Sequence, residues 1–81
     1  MELSKPKVGD DEMEIEFAVF CIENVAIELG KSGDEVYHLL TVDSDILDEY
    51  IIANYGVLHT QSKEYIVRDI IDYMKERGVI T

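Results

Sequence analysis

The sequence has little or none of the residues and patterns that several common kinds of protein depend on. A single cysteine, Cys21, excludes an intramolecular disulfide framework. No uncharged stretch approaches the roughly 20 apolar residues that cross a bilayer. The opening residues MELSKPKVG lack the apolar run of a secretory signal. The expectation is a soluble, cytoplasmic protein. Lysine and arginine are missing altogether between Lys31 and Lys63. Phosphate backbones and anionic membrane surfaces are both held by those two residues, so neither a nucleic acid nor a membrane is an expected partner. The five glycines are scattered singly, which leaves no phosphate-cradling loop. Clean alternation of apolar and polar residues is confined to Met13–Phe17, where a longer helical period overrides it, so strands are not expected. No internal repeat or low-complexity tract is visible.

What the chain has in plenty is acid. Its 81 residues hold 18 acids against 7 bases, a net charge of −11. The excess is uneven: residues 32–62 carry six acids (Asp34, Glu35, Asp43, Asp45, Asp48, Glu49) and no lysine or arginine, whereas residues 57–81 carry four of each sign. A chain of this length makes one small domain that buries only ~60% of its unfolded surface. Residues 1–12, with proline, glycine and few apolar side chains, are expected to be a disordered tail, and residues 13–81 a single helical domain.

Within that domain the periodicity predicts an all-α, four-helix bundle, orthogonal or antiparallel, with helices at about 11–29, 33–41, 44–54 and 62–77. The first presents Met13, Phe17, Phe20, Cys21, Val25 and Leu29 at spacings of three and four, with Asp10, Asp11 and Glu12 at the positive end of its dipole and Gly30 after its last turn. Ser32-Gly33-Asp34-Glu35 spells a capping box ahead of Val36, Leu39 and Leu40. Ser44-Asp45 restarts the pattern, with Ile46, Leu47, Tyr50 and Ile51 on one face, and Asn54-Tyr55-Gly56 is expected to end or kink that helix. The last helix turns Ile66, Ile70, Tyr73 and Met74 inward, is capped by Ser62 or Thr60, and stops at Gly78. The expected core is Phe17, Phe20, Leu39, Leu40, Leu47, Ile51, Leu58, Ile66, Ile70 and Met74.

Candidate chemistry is thin. Asp43, Asp45, Asp48 and Glu49 do not fit a calcium loop, because Leu47 occupies a ligand position and the turn glycine and closing glutamate are missing. Glu35-Val36-Tyr37-His38 has the spacing of a di-iron ligand pair, but such a site needs two copies. Cys21 and His59 make the one conceivable thiol–base pair, yet Cys21 lies among Phe17, Phe20 and Val25, where burial silences a thiol. Neither a metal nor a cofactor is expected. The second and third helices, joined by a short turn, have a helix-turn-helix shape, but the would-be recognition helix carries acids and no base. In GVLHTQSKEY, His59 is either a hydrogen-bonded residue of the joint between helices or a contact to a partner.

The segments FAVFCIENVA, SDILDEYI and LHTQSKEYIVRDII together resemble a family of short bacterial proteins known only as a domain of unknown function. Leu58-His59-Thr60 followed by Tyr65-Ile66-Val67 and Asp69-Ile70 is the most specific part, and the resemblance covers residues 13–78. Ser62 stands where glycine is expected and Ala53 where proline is; both suit a cap and a helix start. The resemblance implies a companion protein related to ADP-ribosyltransferases, and with it a toxin-neutralising or accessory role.

Three readings result. The first is a non-enzymatic interaction module, antitoxin-like or regulatory, that meets a basic partner through Asp45, Asp48, Glu49, His59 and Thr60. The second is a small structural homodimer, driven by apolar residues that so short a monomer leaves uncovered. The third, an enzyme using His59, lacks partner residues for the histidine.

Overall fold

The computed structural model describes residues 12–80, which form five helical segments in the order α1 (Glu12–Leu29), α2 (Gly33–Thr41), a π-helix (Leu47–Ile52), α3 (Tyr55–Leu58) and α4 (Lys63–Glu76). Among the described residues there is no strand. The expected tail, and Asp10 and Asp11 with it, lies outside them except for Glu12, which opens α1.

The helix ends are built by local chemistry. α1 and α4 both close on a glycine in the left-handed region, Gly30 at φ 68° and Gly78 at φ 76°. Around each, one N–H reaches back to close the last turn: Lys31 N–H donates to the Ala26 carbonyl at 2.9 Å, and Val79 N–H to the Met74 carbonyl at 2.9 Å. This is the Schellman arrangement, and it satisfies carbonyls that a helix end otherwise leaves orphaned. Ser32 forms both halves of the capping box of α2: its Oγ accepts from Glu35 N–H at 3.1 Å, and Glu35 Oε1 accepts from Ser32 N–H at 3.1 Å. Ser62 caps α4 by accepting from Tyr65 N–H at 3.2 Å. Thr60, the alternative cap, instead donates its hydroxyl to the Val57 carbonyl.

The expected third helix is different in kind. After α2, Ser44 ties the turn together, donating to the Leu39 carbonyl at 2.8 Å while its Oγ accepts from Ile46 N–H. The backbone then runs through a π-helix, in which N–H groups reach back five residues instead of four. Residues five apart therefore share a face, and Ile46 and Ile51 are both sealed in the core. The expected break is present but falls at Ala53 and Asn54, ahead of Gly56. Leu58 is drawn into the interior, and the Asn54 carbonyl accepts from both Val57 and Leu58 N–H, so residues 55–58 wind one further α-turn with Gly56 inside it.

α2, the π-helix and α4 each pack against α1, and α3 packs on the π-helix. The core gathers Cys21, Val25 and Ala26 of α1, Val36 and Leu40 of α2, Ile46, Ile51, and Ile66, Val67, Ile70, Ile71 and Met74 of α4. Of the ten expected core residues, Leu40, Ile51, Leu58, Ile66, Ile70 and Met74 are buried, while Phe17, Phe20, Leu39 and Leu47 are half-buried around the margin. Met13, placed on the inner face of α1 by its spacing, is exposed. The inner face centres instead on Ala18, Cys21 and Val25. α1 carries apolar residues around most of its circumference, with Ile15, Val19 and Ile27 on its outer sides.

Replacing a residue at the centre of this core leaves a cavity that the packed helices cannot close. Ile70→Ala is expected to cost about 2–5 kcal/mol and to lower the midpoint of a thermal melt followed by circular dichroism by roughly 10 °C or more. A midpoint near that of the wild type would place Ile70 outside the core.

Candidate functional site

The acids that dominate the middle of the chain all reach solvent. Asp34 and Glu35 begin α2, Asp43 and Asp45 flank the turn that follows, and Asp48 and Glu49 form the first turn of the π-helix; all six are exposed. Among the described residues the one ionic partner that any of them has is His38, whose Nδ1 lies 3.5 Å from Asp43 Oδ2. Acids at the start of a helical segment are favoured by its dipole, which places Asp34, Glu35, Asp48 and Glu49 at low cost without any base nearby. No group of three or more His, Cys, Asp and Glu among the described residues is arranged to hold a metal ion.

His59 and Thr60 follow α3, and both are exposed. His59 Nδ1 lies 2.6 Å from the Tyr55 carbonyl oxygen. A carbonyl only accepts, so Nδ1 carries the proton and in the neutral ring the lone pair sits on Nε2. The imidazole also stacks on the Tyr55 ring, with centroids 4.4 Å apart and planes 12° from parallel. Tyr55 in turn meets Phe17 edge-on at 5.3 Å, and Phe17 stacks with Phe20. An aromatic ladder thus runs from α1 to the end of α3 and holds His59 at its tip. The π-helix and α3 pack on each other, with Asp48 and Glu49 in the π-helix and Asp45 just before it, and with His59 and Thr60 just after α3. No side-chain hydrogen bond or ion pair joins the two groups.

Cys21 stands apart from both. It is 0% exposed, and burial pushes its thiol up to about 12, so it stays protonated and away from any base.

A second polar cluster was not foreseen from the sequence. Tyr50 on the π-helix stacks on Tyr73 of α4 with centroids 4.0 Å apart. Its hydroxyl donates to Asp69 Oδ2 at 2.5 Å, and the Tyr73 hydroxyl accepts from the Arg77 guanidinium at 2.9 Å. Asp69, Tyr73 and Arg77 recur every four residues along one face of α4, a spacing legible in the sequence. That Tyr50 crosses over to meet them is tertiary and has no local signal. The cluster pins the π-helix to α4.

A family model described as protein of unknown function (DUF3791) matches residues 16–77. The chain belongs to this family. No curated protein and no solved structure matches it. The DUF3791 stretch runs from the first turn or so of α1 to the C-cap of α4. It contains the acidic run, the aromatic ladder and the Tyr50 cluster.

Burial of the Tyr50 phenol, and then its hydrogen bond to Asp69 and the charge of that carboxylate, push its ionisation above the ordinary ~10. The folded state therefore keeps the proton that the unfolded chain releases first. The stability this contributes is intact below pH ~10 and declines as the pH rises beyond it. Asp69→Asn is expected to bring Tyr50 part of the way back down, read as the phenolate absorbance difference between paired proteins with Tyr50 and with Tyr50→Phe. An unmoved titration would show that Asp69 has no part in it.

Proposed function

We propose that the chain is a non-enzymatic protein-interaction module whose acidic middle third meets a basic partner protein. The observation that carries this reading is the exposure of all six acids between residues 34 and 49, with no lysine or arginine from 32 to 62 to neutralise them. Solubility alone requires net charge, but not the removal of every base from one stretch. A surface of one sign speeds encounter with a partner of the other and turns away partners of its own sign. Asp45, Asp48 and Glu49 supply charge at the start of the π-helix, on which α3 packs, and His59 and Thr60 are the exposed polar residues that follow α3. Two further observations support a binding role over a catalytic one. The one thiol is protonated and sealed in the core, and His59 Nδ1 is already engaged at the end of α3.

The partner to try first is the ADP-ribosyltransferase-related companion that the sequence resemblance implies, and in that setting the module acts as an antitoxin or regulator. Exposed charges contribute little to stability, so a charge-reversed surface still folds.

The double variant Asp45→Lys with Asp48→Lys is expected to keep its helical circular dichroism spectrum, to associate with that companion at least roughly tenfold more slowly at low salt, and to show a flatter dependence of rate on ionic strength. Association at the wild-type rate would remove the acidic surface from the interface.

A further inference from the structure

α1 and α4 cross so as to leave a groove of about 480 Å³ on the side of the molecule formed by these two helices. Its apolar part is Val67 and Ile71, each still 8% exposed, together with Ile27, which at 77% is the most exposed large apolar side chain among the described residues. A lone exposed isoleucine says nothing, since folded surfaces hold many. What singles out this groove is its charge. It is lined by Glu28, Glu64 and Asp72 and by Lys63, Arg68 and Lys75, three acids and three bases. Residues 12–80 hold fifteen acids and five bases, so the rest of the described surface is left with twelve acids against Lys31 and Arg77.

These six groups are also unspent. Glu64 and Arg68, and Arg68 and Asp72, stand four apart on α4, the spacing at which helical ion pairs form. Yet no ion pair within 4 Å joins any of the six to another described residue. A groove with an apolar floor and equal numbers of unpaired acids and bases complements itself. That is the condition for an interface about a two-fold axis, where each group on one copy faces its counterpart's neighbour on the other. A basic partner finds stronger attraction on the acidic middle third, and an acidic partner is repelled by nearly the whole surface. A second copy of this chain, repelled elsewhere by its own net charge, meets no such penalty here.

We infer that the α1–α4 groove is a self-association surface, through which two copies pair with Ile27 of each packed against Val67 and Ile71 of the other and the acids of one groove facing the bases of its mate. This surface is separate from the acidic run of α2 and the π-helix, so the dimer and the partner-binding reading stand or fall independently.

Sedimentation equilibrium of the full chain tests it. The wild type is expected to approach twice its monomer mass of 9.3 kDa as concentration rises. Ile27→Glu should raise the dimer dissociation constant by at least roughly tenfold, the effect of losing a central apolar anchor. Because Ile27 is exposed, the variant keeps its fold, which circular dichroism verifies. Two charge-set variants give a second and independent readout. One carries Glu28→Lys, Glu64→Lys and Asp72→Lys; the other carries Lys63→Glu, Arg68→Glu and Lys75→Glu. Each alone should be monomeric, and an equimolar mixture should recover a dimer. A wild type that remains monomeric up to millimolar concentration overturns the inference. So does a dimer that Ile27→Glu leaves equally tight, or a pair of charge-set variants that do not combine.

Discussion

The structure depends on α1 being buried along one side. At this size a domain has little apolar surface to spare, and here α2, the π-helix and α4 all rest on the same helix. Cys21 and Val25 sit at its inner face with no exposed surface, in one buried cluster with Val36 and Leu40 of α2 and Ile70 and Met74 of α4. Without α1 those residues have no common neighbour, and α3, which packs on the π-helix, has nothing fixed to pack on. The half-buried Phe17 and Phe20 extend the same helix outward into the aromatic ladder that reaches His59. Core and candidate site are therefore both hung from one element.

The parts of the fold that could be read from the sequence are those decided within a few residues. Ser32 and Glu35 complete a capping box, Ser62 caps α4, and Gly30 and Gly78 take the left-handed conformation that ends a helix. Each depends on one side chain, or the lack of one, next to orphaned backbone groups. The choice of inner face on α1 was harder to read, because apolar residues surround most of that helix and more than one stripe satisfies the spacing. Met13 falls on one stripe and Ala18 on another, and only packing decides between them. The π-helix was equally hidden: Ile46, Leu47, Tyr50 and Ile51 share a face at α-helical spacing too, so the burial of Ile46 and Ile51 is legible while the wider winding that carries it has no local signal. Gly56 reads as a break, but the burial of Leu58 winds the chain one turn past it.

The candidate site divides in the same way. Charge is additive along the chain, so the acidic stretch and its exposure followed from composition and helix phase. Tyr50 meeting Asp69 and Tyr73 did not, because nineteen positions separate Tyr50 from Asp69 and nothing local links them. The balanced groove between α1 and α4 is tertiary as well. Its bases are evenly mixed with acids along α4, and they become a patch only when Ile27 and Glu28 of α1 are laid beside them. The result is a molecule with two kinds of surface, one of a single sign and one of balanced charge, mounted on the same small core.

The dependence on α1 has a built-in reporter. Cys21 is the chain's one cysteine, it has no exposed surface, and burial holds its thiol up to about 12. A thiol-specific reagent therefore reaches it only when the inner face of α1 opens, and the labelling rate in the native state gives the free energy of that opening. If α1 is the element on which the others rest, this value equals the global unfolding free energy from a denaturant titration of the same protein. An opening free energy well below the global value would mean that α1 detaches while the remaining helices stay folded, and would contradict the account.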